Sequence, residues 1–394
     1  MAAVQILDKI YWVGAVDWNV RYFHGPTYSI RKGTTYNSYL IVDEKVALVD
    51  TVFGPFTAEL VENIKEVIPL EKIDYVVVNH IESDHSGAFP EIMKLAPQAR
   101  VLCTQKAMEG LKKHFQGDWD FQVVKTKDTV SLGRRSLTFI EAPMLHWPDS
   151  MFTYVEEEAL LLPNDAFGQH IATSYRFDDQ ADINQIMDEA GKYYANILWP
   201  FSRLVARKIE EITAMGLKIK MIAPSHGIIW RNDPMRIVNA YSRWAKGEAC
   251  KKAVIVYDTM WESTGKMANA ILQGLVSQGV EARLFKVSVS DTSEIIGELL
   301  ESKAIVVGSP TINNDMHPVM APFLTDLVGL KPLNKIGMVF GSYGWKGGAV
   351  ETVKGRLQEA GIQVVEQQPV AKWVPTKDEL QECYHAGQWL ASQI

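Results

Sequence analysis

Asn79-His80-Ile81-Glu82-Ser83-Asp84-His85 follows the apolar run Tyr75-Val76-Val77-Val78. The run is short and β-branched, which predicts a buried strand. Four potential metal ligands, His80, Glu82, Asp84 and His85, then fall within the six residues 80–85. A solvated charged loop draws more on Lys, Gly and Ser. Imidazoles and carboxylates at this density are the donor set of a metal centre.

Three more candidates also follow strand-like runs. Ser136-Leu137-Thr138-Phe139-Ile140 leads to His146, Ala159-Leu160-Leu161-Leu162 to Asp165, and Lys220-Met221-Ile222-Ala223 to His226. Taken singly, each is an ordinary hydrogen-bonding residue after a strand. Taken together, strand ends gathered along one edge of a two-sheet sandwich can converge on one point. Seven ligands are too many for one tetrahedral ion and suit two ions sharing a bridge.

The spacing resembles the metallo-β-lactamase superfamily pattern His-x-His-x-Asp-His, followed by a later His, Asp and His. Glu82 stands where the second His would be. A carboxylate there makes the site harder and more anionic, favouring iron or manganese over a purely hydrolytic zinc centre. The resemblance implies Asp165 as the bridge, one ion on His80, Glu82 and His146, and the other on Asp84, His85 and His226. His85 is the least secure ligand, since it can rotate away and leave a water in its place. His24, in an early loop, is read as a hydrogen-bond donor to a bound ligand. His170 is read as structural, and His114, His317 and His385 have no comparable context.

Around the ligand loops, Ile10–Val13, Tyr36–Val42 and Val46–Asp50 read as strands and 56–67 as a helix. Asp84 or Ser86 is expected to cap the helix after the first ligand loop, with Pro90 in its first turn. Ile183–Trp199 and Arg203–Leu217 read as helices separated at Pro200, covering an outer face.

From Lys251 the pattern changes. Ala253–Tyr257 predicts a buried strand that runs into Asp258-Thr259-Met260-Trp261-Glu262-Ser263-Thr264-Gly265-Lys266, with a helix to about Val276. Strands are expected at Ala282–Val287, Ala304–Val307, Ile336–Phe340 and Gln363–Val365, with helices between. Strand–helix alternation predicts a doubly wound parallel sheet, and five strands suit the flavodoxin-like version. The hydroxyl-rich turn Thr259, Met260, Trp261, Glu262, Ser263, Thr264 is a phosphate cradle at a helix N-terminus. Neither the Gly-Lys-Ser/Thr ending of a P-loop nor Gly-x-Gly-x-x-Gly is present. Two further strand-end loops, one with Pro310, Thr311, Ile312, Asn313 and Asn314, the other with Ser342, Tyr343, Gly344 and Trp345, fit the polar edge and ring of a flavin.

The 394 residues suffice for two or three domains; 47% are apolar and 22% charged, with a formal charge of −7. That balance argues against nucleic acid as the main partner. Cys103, Cys250 and Cys383 lie far apart and form no Cys-x-x-Cys pair. No signal peptide and no apolar run of ~18 residues is seen, so a cytoplasmic protein that neither spans nor needs a membrane is expected.

A ligand loop with Glu82, followed by a flavodoxin-like half carrying Thr259-Met260-Trp261-Glu262-Ser263-Thr264, resembles the flavodiiron proteins (A-type flavoproteins), and among them the rubredoxin:oxygen oxidoreductases. The resemblance covers essentially the whole chain. It implies a metallo-β-lactamase-like αββα domain over 1–250 and a flavodoxin-like FMN domain over 251–394, without an added rubredoxin or reductase module. It also implies two non-haem iron ions, FMN, and reduction of O2 to water, of NO to N2O, or both. A rubredoxin-like donor and a head-to-tail homodimer, or a tetramer, complete the expectation. Three alternatives remain: mainly an NO reductase, a zinc metallohydrolase with a fused flavin domain, and an electron carrier whose first half is a scaffold.

Overall fold

The run before the first ligand loop forms the strand Ile73–Val78 in a computed structural model that describes residues 2–25 and 27–394. Val76, Val77 and Val78 are all buried, as a strand covered on both faces requires. It lies parallel to Val46–Val49 on one side and to Arg100–Cys103 on the other. The full sheet runs Val4–Leu7, Ile10–Trp12, Tyr39–Val42, Val46–Val49, Ile73–Val78, Arg100–Cys103, Phe121–Val123. A second sheet runs Thr129–Ser131, Ser136–Glu141, Met151–Val155, Leu160–Leu162, Met221–Ile222.

The alternation of side chains builds the layers. Trp12, Ile41, Val49, Val77 and Leu102 of the first sheet meet Leu137, Phe139, Met151, Val155 and Leu162 of the second in one core. The opposite residues, Leu40, Leu48, Val76, Val78 and Val101, pack with Leu60, Ile64, Phe89, Ile92 and Leu111 from three helices. On the far face of the second sheet Leu161 lies in a groove with Ile209, Ile212 and Val238. The result is the expected αββα sandwich, and its strand ends carry the ligand loops.

Two local expectations are corrected. The helix Phe89–Leu95 starts after Ala88, which makes no side-chain cap. Ser86 Oγ instead donates to the carbonyls of Ile81 and Glu82 at 2.6 and 3.0 Å, and Asp84 turns toward the ligand cluster. The expected helix Ile183–Trp199 is α-helical only over Ile183–Tyr193; a wider π turn, Tyr194–Leu198, and a 3-10 turn, Trp199–Phe201, follow before Ser202–Ala214. Pro200 has no N–H to continue the ladder, and the widened turn absorbs the break.

The second sheet system is parallel in the order Glu281–Lys286, Cys250–Tyr257, Ser302–Ile312, Ile336–Tyr343, Gln363–Val364. That is the flavodoxin-like order, with its switch point between Cys250–Tyr257 and Ser302–Ile312. Ser302–Ile312 also turns back through Asn313 and Asn314 to pair with Asp315–Met316. Both asparagines have positive φ, 53° and 62°, which a two-residue hairpin turn demands and Asn tolerates.

By packing, the chain divides into two units. One runs to Phe23 and takes in Ile30–Ala190 and Arg203–Tyr241; the other takes in His24–Ser29, Gly191–Ser202 and Ser242–Ile394. Among the described residues no helix is long and apolar enough to cross a membrane.

The helix Ser263–Ser277 is held by backbone contact with the helix Lys377–Ala391. A Cβ on Gly274 would lie 2.1 Å from the Tyr384 carbonyl oxygen, and one on Gly387 2.3 Å from that of Ile271. Gly274→Ala must push the helices apart and is expected to cost about 1–3 kcal/mol, lowering Tm by roughly 2–4 °C for each kcal/mol. Gly355→Ala, in open space within Ala349–Glu359, is the control and should stabilise by about 0.5–1 kcal/mol. Thermal unfolding followed by circular dichroism checks both.

Candidate functional site

The four loops after the sandwich strands bring all seven expected ligands together in two groups. His80, Glu82, His146 and Asp165 form one; Asp84, His85 and His226 form the other. Six of the seven are buried, and Glu82 is partly so. Asp165 stands between the groups with one oxygen toward each. Its Oδ2 is 3.2 Å from His146 Nε2 and 3.7 Å from His80 Nε2. Its Oδ1 is 3.0 Å from His85 Nε2 and 3.5 Å from His226 Nε2. Glu82 Oε2 lies 3.3 Å from His80 Nε2 and 3.4 Å from His146 Nε2. Asp84 Oδ2 lies 3.3 Å from His85 Nε2 and 3.0 Å from His226 Nε2.

These separations match the edges of a coordination polyhedron. Metal–ligand bonds of about 2.0–2.2 Å place neighbouring donors roughly 3.0–3.5 Å apart. The orientations agree. Among the described residues Asp84 Oδ1, Asp165 Oδ2 and His85 Nε2 are buried without a well-aligned hydrogen bond, although the groups stand side by side. Lone pairs that converge on a common point serve a cation, whereas hydrogen bonding would aim each donor at an acceptor.

The electrostatics point the same way. Burial opposes the charged form of Asp165, yet His85 and His146 hold its carboxyl well below the usual carboxylate range. Burial likewise opposes protonation of His85, but Asp84 and Asp165 carry it up to about 9. His80 is raised too, its desolvation outweighed by Asp149 and Glu82. The cluster recruits positive charge, which metal ions would supply in exchange for those protons.

Several supporting residues are not obvious from sequence. Asp50 accepts from the Asn79 backbone N–H at 2.8 Å, from Asn79 Nδ2 at 3.0 Å and from Asn164 Nδ2 at 3.1 Å. One carboxylate therefore grips the residues just before His80 and Asp165. Burial pushes the Asp50 carboxyl up. Ser225 Oγ donates to Asp165 Oδ1 at 3.1 Å. His226 Nδ1 donates to the Thr35 carbonyl at 2.7 Å, and its ring packs on His170, centroids 4.6 Å apart. His170 shares a hydrogen bond with Thr34 Oγ1 at 2.8 Å. Asp50 carries its own sequence cue, an acid in Asp50-Thr51 at the end of an apolar strand; Asp149 sits three residues after His146. Leu145–His146 is a cis peptide bond. His24 belongs to a segment of the other unit, with φ 51° and its carbonyl accepting from Thr27 Oγ1 at 2.8 Å.

In the second unit the carboxyl ends of the strands open on a cavity of about 380 Å³, lined by Thr259, Met260, Trp261, Ser263, Pro310, Thr311, Ser342, Tyr343, Gly344, Trp345, Trp373 and Val374. That volume is in the range of small-molecule sites. Ten of these residues were expected from sequence; Trp373 and Val374 were not. They follow Val370–Lys372, a three-residue edge strand beside Ile336–Tyr343, too short to leave a periodic signal. Glu262, Thr264, Ile312, Asn313 and Asn314 do not line the cavity. Thr264 Oγ1 is buried 2.9 Å from Ser342 Oγ, and Asn313 and Asn314 make the hairpin turn.

The cavity fits a phosphorylated flavin. Glu262 precedes the helix Ser263–Ser277 without a side-chain cap, so its first-turn N–H groups stay available to an anion. Thr259 Oγ1 is buried and has no hydrogen-bond partner among the described residues. Exposed Trp261 and Trp345 offer flat apolar faces for a ring.

Comparison with known proteins follows this geometry. The model "ODP family beta lactamase" matches residues 34–227, and the flavodoxin model matches 255–387. A nitric oxide reductase of Moorella thermoacetica is 62% identical, over 99% of this chain and 98% of that one. A coenzyme F420H2 oxidase of Methanocaldococcus jannaschii is 47% identical over 99% and 96%. Among solved structures, the rubredoxin oxygen:oxidoreductase of Desulfovibrio gigas superposes with a TM-score of 0.96 at 38% identity, covering 99% of this chain and 98% of that one.

Proposed function

The chain belongs to the flavodiiron proteins, and on that premise we propose an oxidoreductase that reduces O2 to water or NO to N2O at a site for two iron ions, with electrons arriving through FMN. The observation that carries it is Asp165, whose two oxygens address two separate sets of imidazole and carboxylate donors. When bound, two ferrous ions and a reduced flavin together supply four electrons.

This chain's residues supply position and environment. His80, Glu82 and His146 would hold one ion, Asp84, His85 and His226 the other, and Asp165 would join them. Asp50 fixes the turns that precede His80 and Asp165, so the donors are in place before the metals arrive. Thr259, Ser263 and the helix N-terminus would receive the flavin phosphate, with the tryptophans beside the ring. We place the domain division at 1–250 and 251–394. We propose that His24 is a hydrogen-bond donor to a bound ligand. A rubredoxin-like protein is the donor, and a head-to-tail homodimer in the cytoplasm is the working assembly, bringing one chain's flavin to the other chain's metals.

The carboxylate-rich donor set, with Glu82 among the ligands, disfavours the zinc hydrolase reading. The test feeds reduced rubredoxin to purified protein and follows both gases with electrodes. Consumption of O2 or NO that stops when metal or flavin is removed is expected; turnover surviving loss of either would sink the proposal.

A further inference from the structure

The parallel sheet of the second unit has a cavity at each end. The one opposite the flavin site lies at the amino ends of Cys250–Tyr257, Ser302–Ile312, Ile336–Tyr343 and Gln363–Val364 and measures about 750 Å³. That is within the range of small-molecule sites. The flavin does not account for it, since ligands of open α/β sheets bind at the carboxyl ends of the strands.

Four lysines line this cavity, Lys246, Lys251, Lys303 and Lys335, and Glu248 is the one acidic side chain in the described lining. Two of the lysines also hold the fold. Lys335 is buried, and its Nζ donates to the carbonyls of Leu300 and Ser302 at 2.8 and 2.6 Å. Leu300 ends the helix Thr292–Leu300, where a cation is favourable. Lys303 Nζ donates to the Asn334 carbonyl at 2.9 Å. These acceptors are all neutral, and an ammonium has three N–H groups, so each of the two lysines keeps at least one donor in hand.

The other two have no such role. The side chains of Lys246 and Lys251 are exposed and make no hydrogen bond or ion pair among the described residues. Lys252, next in the chain but outside the lining, is by contrast paired with Glu281 and Glu298. A solvated surface mixes charges of both signs; here one sign gathers in a concavity. Burial, and then Lys303, holds the Lys335 amine down to about 7, with Glu301 and Cys250 pulling the other way. The Glu301 carboxylate is engaged by Trp244 Nε1 at 2.9 Å. A lysine is seldom buried without a counter-charge.

We propose that this cavity binds a small polyanion carrying at least two phosphate groups, met by Lys303 and Lys335 from within and by Lys246 and Lys251 at the rim. One phosphate brings about 1.5–2 negative charges at neutral pH, too few for four ammonium groups set against one carboxylate. The site is independent of the two-iron reading and stands or falls without it.

Cys250 lines the same cavity and is exposed, whereas Cys103 and Cys383 are buried, so its thiol reports locally. Protein loaded with flavin and metal is titrated with pyrophosphate while alkylation of Cys250 by iodoacetamide is followed by mass spectrometry. Pyrophosphate should slow the reaction saturably, and at far lower concentration than inorganic phosphate does. Lys246→Gln combined with Lys251→Gln should raise the half-protecting concentration by roughly 10–100-fold, two charge-assisted hydrogen bonds discounted for exposure. Lys113→Gln combined with Lys331→Gln removes the same charge from exposed positions outside the lining and should leave it unchanged. No protection, equal protection by phosphate, or the same response from both double variants would overturn the proposal.

Discussion

Asp165→Ala is expected to strip both metals from the chain, abolish gas reduction and leave FMN bound. Its two oxygens stand against different donor groups, at 3.2 Å from His146 Nε2 and 3.0 Å from His85 Nε2. Loss of an outer hydrogen-bond partner alone typically weakens a metal site by about 10–100-fold, and here each ion loses a direct donor. The remaining imidazoles also lose the carboxylate nearest to them. Metal analysis of variant and native protein, purified in parallel, should show two ions per chain in the native form and fewer than one in the variant. Flavin absorbance should be unchanged, because the cradle lies in the other unit. Asp165→Asn keeps the shape but withdraws the charge and one oxygen donor, so it should retain one ion at most. A variant that still carries two ions would remove Asp165 as the bridge.

The second large effect is expected at the phosphate turn. Thr259→Val combined with Ser263→Ala should weaken FMN binding by roughly 10²–10⁴-fold, the sum of two hydrogen bonds to a charged group at about 1.5–3 kcal/mol each. Thr259 is the natural target because its hydroxyl is buried without a partner among the described residues, an arrangement that costs free energy unless a ligand satisfies it. Ser263 opens the helix and lines the cavity. The neighbouring Thr264 is the poorer choice, since its hydroxyl is already engaged with Ser342. Fluorescence quenching of FMN on flavin-free protein measures the change, with metal content as the control. An unchanged dissociation constant would rule out this turn as the phosphate site.

The sequence made the cluster of candidate ligands legible because its chemistry is dense and local. Four ligands stand within six residues, and three others each end a run of β-branched or aliphatic residues. Strand propensity and ligand type agree at every one of these positions. Alternation of strand and helix gave the doubly wound second half, whereas the αββα first half came from the resemblance carried by the ligand spacing. What was illegible depended on long-range partners. Asp50 holds Asn79 and Asn164, residues 29 and 114 positions away, and neither separation leaves a pattern. Trp373 reaches the cavity from a strand of three residues. Asn313 and Asn314 read as polar edge contacts, but their positive φ values show that they serve a turn. The widened turn at Tyr194–Leu198 was hidden because helical periodicity tolerates a one-residue excess.

The glycine contact at Gly274 and Gly387 joins two distant places in one rigid piece. Where main chain rests on main chain, there are no rotamers to take up slack. The helix that begins at the phosphate turn is therefore seated by the segment closest to the end of the chain. Yellow colour in a preparation then reports on the health of a carboxyl-terminal helix that does not line the cavity, and damage there would bleach the protein without altering any residue beside the ring.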